Sequence, residues 1–207
     1  MEVSRYRSNE VSGYPGSHRE PFAVRSDLVG EAISGEAAKS GMGVRERKDW
    51  KMKIEIKDVG PLKVASVDGE GTYREIGSVL MDLFRWVLER GEKVVSYPMA
   101  LFPGLSEDGP AGDVCFEACI PVDPETVVKG GGGVTIRELP AATVAFVKHR
   151  GPLNEVGKTY DRILSWAGDN GYMTGEPTRE LYLTNPMQFE EKDLITEVQV
   201  PVKAVRH

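Results

Sequence analysis

Residues 72–91 read TYREIGSVLMDLFRWVLERG, and their pattern predicts a helix. Thr72 followed three residues later by Glu75 makes a capping box, in which each partner satisfies a backbone N–H that the helix start leaves free. Ile76, Val79, Leu80, Leu83 and Val87 recur at spacings of three and four, so they form one apolar stripe. Gly91 is placed to end the helix, since glycine takes the left-handed conformation of a helix terminus without strain. A helix with one stripe must bury it, and the strand-like runs around it supply a sheet.

These features return 80 residues later without a gap. Val64-Ala65 recurs as Val144-Ala145, Glu75-x-Gly77 as Glu155-x-Gly157, Trp86 as Trp166 and Gly91 as Gly171. Glu117 recurs as Glu197, and Pro121-Val122 as Pro201-Val202. A constant offset of this kind is the mark of an internal duplication. The predicted organisation is therefore repeat one over 52–122, a linker over 123–133 containing four consecutive glycines, and repeat two over 134–203.

Each repeat reads β-α-β-β. Residues 53–70, KIEIKDVGPLKVASVDGE, predict a strand pair or one long strand broken at Gly60-Pro61. Strands around 94–102 and 114–122 follow the helix. In repeat two TVAFVKH is the strand, and a second helix starts near Pro152, a residue suited to the first helical position. Leu153, Val156, Tyr160, Ile163 and Ala167 form its stripe, and strands near 178–184 and 194–202 complete the unit. The expected fold class is α+β. Two pseudo-twofold repeats form one antiparallel sheet, with two helices on one face and a cleft between them.

Composition bounds the rest. The 207 residues are 40% hydrophobic and 28% charged with a formal net charge of −6, a globular composition that disfavours direct DNA binding. No apolar run approaches the roughly 18 residues of a membrane span, and the N-terminus lacks a secretory apolar region, so a cytoplasmic location without membrane contact is expected. Cys115 and Cys119 would lie roughly 13 Å apart on one strand face, too far for a disulfide. Both read as small core or semi-buried residues. His18, His149 and His207 are scattered, so no metal site and no cofactor motif is predicted. Residues 1–51 are rich in Gly, Ser and charge without sustained periodicity. They predict a disordered or loosely attached segment with no helix-turn-helix.

One difference between the repeats stands out. RELYLTNP (179–186) and MALFPG (99–104) both read as a strand entering a proline turn, yet Ala100 stands where Glu180 stands. Alternation puts Arg179, Leu181 and Leu183 on one strand face and Glu180, Tyr182 and Thr184 on the other. The pattern alone leaves two readings open: leucines inward with Glu180 solvated, or Glu180 lining a groove.

VAFVKHRGPLNEV (144–156), the helix with Trp166 and Gly171, RELYLTNP (179–186) and TEVQVPV (196–202) together resemble the GyrI-like effector-binding family. The resemblance implies duplicated strand-helix-strand-strand domains, like the effector domains of multidrug-responsive transcription regulators. It also implies that a cleft between the repeats binds lipophilic, often cationic, small molecules. A glutamate on a second-repeat strand would face the positive charge, and Glu180 matches that position. Tyr182 shares its strand face, and Trp86, Tyr97, Met99, Phe102, Tyr160 and Trp166 are candidate walls, so these eight are the expected ligand-binding residues. The expected function is a stand-alone small-molecule-binding protein for sequestration or sensing. The resemblance also implies a hydrolase of cyclopropane-bearing alkylating compounds, with Glu180 catalytic, as an alternative. A gyrase-inhibitor-like interaction protein is the third expectation.

Overall fold

The structure is a computed structural model that describes residues 53–104, 113–186 and 188–205. The segment 1–51 read as disordered or loosely attached lies outside the described residues. Repeat one contains β1 (Glu55–Val59), β2 (Leu62–Gly71), α1 (Tyr73–Glu89), β3 (Met99–Phe102) and β4 (Val114–Pro121). Repeat two contains β5 (Thr135–Leu139), β6 (Ala142–Arg150), α2 (Gly157–Asp169), β7 (Tyr172–Thr174), β8 (Thr178–Tyr182) and β9 (Ile195–Ala204). The capping box at Thr72 and Glu75 is formed. Both helices run out at glycines with positive φ, 71° at Gly91 and 72° at Gly171. The second helix opens with a short 3-10 turn, Leu153–Glu155, ahead of α2.

The fold is α+β, with one antiparallel sheet ordered β1-β6-β9-β8-β3-β4-β2-β5 and β7 added against β9. Under the 80-residue offset that order reads the same from either end. The registers obey the same rule: Val64 faces Pro121, and Val144 faces Pro201. Val59 faces Ala142, and Leu62 faces Leu139. The last two pairings show that β1 and β2 are separate strands that do not pair with each other. Each repeat instead lends its first strand to the other repeat, β1 to β6 and β5 to β2. Gly60-Pro61 joins the strand at one end of the order to the strand next to the other end. Such a link spans at most roughly 10 Å, so the twisted sheet curls until its ends approach.

Both helices pack on the outside of this curl. The α1 stripe of Ile76, Val79, Leu80, Leu83 and Val87 meets Ala65, Ala100, Phe102, Phe116, Ala118 and Ile120. Val156, Tyr160, Ile163 and Ala167 meet Ala145, Val147, Val198 and Val200. Burying each large apolar side chain contributes about 1.5–3 kcal/mol, so the two helices hold two adjoining cores on one sheet. Tyr73 and β8 lie where the cores meet, and Tyr73 packs against both. A third cluster of Val64, Met99, Leu101, Cys119 and Leu139 fills the opposite, inner face. Cys119 is buried there, whereas Cys115 is exposed, because it stands opposite Glu70 near the open end of the β2–β4 ladder.

Candidate functional site

The axis of the fold passes between β3 and β8. Their register places Ala100 directly opposite Glu180, the same two positions that differ between the repeats. On its other side Glu180 faces Val198 of β9. β8 is thus a central strand, and its alternation sends Glu180 and Tyr182 to the helix side and Arg179 and Leu181 to the inner side. The solvated reading of Glu180 is excluded, since the residue is 0% exposed.

A buried carboxylate needs donors, and three phenols supply them. The hydroxyl of Tyr73 donates to Oε1 at 2.9 Å and that of Tyr160 to Oε1 at 3.1 Å. Tyr182 makes a longer contact to Oε2, 3.4 Å. Tyr160 is also 3.4 Å from the hydroxyl of Thr178, and Tyr73 stacks on Phe102 with ring centroids 5.6 Å apart. The three donors come from three elements. Tyr73 is the first residue of α1 and lies between the two members of the capping box, Tyr160 lies on α2, and Tyr182 ends β8.

Burial pushes the Glu180 carboxyl up to about 7, while the hydrogen bonds from Tyr73, Tyr160 and Tyr182 pull the other way. Desolvation therefore wins over three donors, because phenols lend only partial positive charge. The phenols are shifted too: burial first, and then the negative charge of Glu180, raise Tyr73, Tyr160 and Tyr182 above the ordinary range. The tyrosines stay protonated donors, and Glu180 is the group that changes charge near neutrality.

The polarity of this cluster is one-sided. Where repeat two has Glu180, Tyr182 and Tyr160, repeat one has Ala100, Phe102 and Leu80; where repeat one has Tyr73, repeat two has Leu153. Tyr73 is the one carboxylate partner that the sequence reading omitted. Its substitution for leucine across the 80-residue offset was the available signal. The other expected residues are placed as follows. Phe102 joins the cluster through its stack on Tyr73. Trp86 packs beside the first core under the guanidinium of Arg90, 3.8 Å from its ring centroid. Trp166 stacks on Tyr172 at 5.9 Å. Tyr97 is half-buried ahead of β3. Met99 points to the inner face with Leu101 and Cys119, away from Glu180, because it is one residue out of phase with Ala100.

The inner face is a different environment. Two ion pairs related by the 80-residue offset stand on it: Lys57 with Glu197 at 2.5 Å, and Arg137 with Glu117, whose Nε–Oε1 distance is 2.8 Å. A hollow of about 440 Å³ borders Leu101, Cys115, Phe116, Glu117, Glu176 and Pro177, on the side of the sheet that Glu180 does not face. Among the described residues no group of three or more His, Cys, Asp or Glu could hold a metal ion, and no helix is long and apolar enough to cross a membrane.

Comparisons with known proteins agree with this architecture. A family profile described as the GyrI-like small molecule binding domain matches residues 52–203. Among curated proteins none matches. The crystal structure of the EcmrR C-terminal domain is similar with a TM-score of 0.67 and 22% identity, covering 75% of this chain and 99% of that one. The EcmrR chain in a cryo-EM complex with DNA gives 0.66 and 22%, covering 74% of this chain and spanning 58% of that one. A hydrolase encoded by lin2189 from Listeria innocua gives 0.57 and 15%, covering 74% and 93%. At these identities the likeness is one of fold.

Proposed function

Since the chain belongs to the GyrI-like small-molecule-binding family, we propose that it binds lipophilic cations, with Glu180 as the charge partner. Tyr73, Tyr160, Tyr182 and Phe102 would form the surrounding walls. One observation carries this reading: Glu180 is wholly buried, and its hydrogen-bond partners are neutral phenols. Such a carboxylate gains from any cation that reaches it, through Coulomb attraction in a poorly solvated site and through contact with the ring faces. A ligand that enters must part the phenols, and the Tyr73 ring on the first turn of α1 is the nearest cover. Trp86 and Trp166 flank the two cores and serve as reporters of entry as much as walls.

Equilibrium dialysis or tryptophan quenching with tetraphenylphosphonium, beside a neutral analogue of equal size, tests the reading. Glu180→Gln is expected to lower affinity for the cation at least tenfold at pH 8 and to leave the neutral analogue within twofold. Equal affinity of both proteins for the cation overturns the charge role.

A second reading has one observation in its favour. A carboxyl lifted to about 7 is suited to accept a proton from water at neutral pH, as hydrolysis of a strained cyclopropane-bearing compound requires. Mass spectrometry of such a compound after incubation would show the water adduct. Turnover no greater than that of Glu180→Ala leaves binding as the function.

A further inference from the structure

Glu180 has a neighbour whose own situation is unexplained by the ligand site. Arg179 is 6% exposed on the inner face, between Leu101 and Gln199 along the ladder. Its Nη2 donates to the carbonyl oxygen of Pro140 at 3.3 Å, and among the described residues its Nε has no hydrogen-bond partner. The two carboxylates nearest in register, Glu117 and Glu197, are engaged by Arg137 and Lys57. Among the described residues Arg179 therefore has no carboxylate partner of its own. A buried guanidinium without one is costly, and it keeps its charge because arginine does not deprotonate in proteins. In the other repeat the equivalent residue is Met99, just as the equivalent of Glu180 is Ala100. The cation and the anion occur together, in one repeat only, on adjacent residues of one strand.

We propose that Arg179 is a positioning residue for the ligand site, its charge acting across β8 to hold Glu180 ionised for a cationic ligand. The inference rests on the cation-binding reading above. Adjacent side chains on a strand point to opposite faces, which puts the two charges roughly 10 Å apart with only protein between them. At that separation and at the effective dielectric of a protein interior, the attraction moves a carboxyl by about one pH unit. The groups that face Glu180 leave this effect uncontested. Tyr73 comes from α1, Tyr160 from α2, Tyr182 and Thr178 from β8 itself, Ala100 from β3 and Val198 from β9. None of them is a cation, and Arg179 is the formal positive charge adjacent to Glu180 in sequence.

The test is the pH profile of tetraphenylphosphonium binding by the full chain and by two variants. Arg179→Gln keeps a donor for the Pro140 carbonyl but removes the charge, and Arg179→Lys restores it. Wild type is expected to bind with a midpoint set by the titration of Glu180. Arg179→Gln should move the midpoint up by about one unit, and Arg179→Lys should return it. Identical midpoints in all three proteins overturn the proposal. If Arg179→Gln fails to fold, Arg179→Met, which carries the residue of repeat one, removes the same charge, and carboxyl carbon NMR of labelled Glu180 should show its titration raised by about one unit against wild type. A titration unchanged from wild type would overturn it. The NMR titration needs no ligand. Absence of Glu180-dependent binding would therefore remove the cation-binding reading while the action of Arg179 on Glu180 is still measured.

Discussion

Glu180 makes this protein's stability depend on pH in the sense opposite to most carboxylates. Its native value of about 7 lies above the ordinary 4.5, with burial as the main cause. The folded state therefore binds the proton more tightly than the unfolded chain. Stability is fully present below about pH 4.5 and falls as pH rises to about 7, by roughly 3 kcal/mol in total. Glu180→Gln should abolish that loss: its melting temperature should match wild type at pH 5 and exceed it at pH 8, as calorimetry would show. Tyr73→Phe removes a 2.9 Å hydrogen bond to the carboxylate. It should raise the Glu180 titration point further and cost about 1 kcal/mol at pH 8, measurable by urea unfolding. Glu180 could be found in the sequence because its counterpart is Ala100, a contrast that survives without any knowledge of depth. Its burial could not, since RELYLTNP alternates equally well with either face inward. Tyr73 was hidden by its place at the first position of a helix, where the apolar stripe has not yet begun to mark the inward side.

Among the elements, the two helices were the most legible, because cap, stripe and terminal glycine all agree within a short window of chain. The first strands were the least. KIEIKDVGPLKVASVDGE shows two strands and a break, but nothing local tells that β1 pairs with β6 and β2 with β5. Pairing partners 69 to 91 residues away are chosen by the sheet as a whole. The start of α1 links helix stability to the site, for the Thr72–Glu75 box brackets Tyr73. Thr72→Ala should cost about 0.5–2 kcal/mol of stability and also weaken tetraphenylphosphonium binding, since the first turn frays and takes the Tyr73 hydroxyl with it. Unchanged binding alongside lowered stability would place Tyr73's anchor elsewhere, in its stack on Phe102. At the strand level, Ala100→Glu would put a second carboxylate directly across from Glu180. Opposed residues have Cβ atoms about 5 Å apart, and like charges there repel. The double-acid protein should be destabilised by several kcal/mol at pH 8 and recover markedly at pH 5.

At the scale of the whole molecule, the exchange of first strands means that neither repeat is a self-sufficient unit. Residues 53–122 on their own would leave β2 without β5, and β1 without β6. They are expected to pair with a second copy or aggregate instead of folding as a monomer, which size-exclusion chromatography with circular dichroism would reveal. The same layout governs what can sit on the axis between β3 and β8. Picture two identical copies of one repeat assembled in this way, with each residue of the central strand meeting a copy of the other. The position facing Ala100 would then hold alanine, and any acid placed there would confront its twin. A single unbalanced charge at the midline is denied to such a twin assembly. It becomes attainable when both halves are written into one polypeptide and each is free to change without the other.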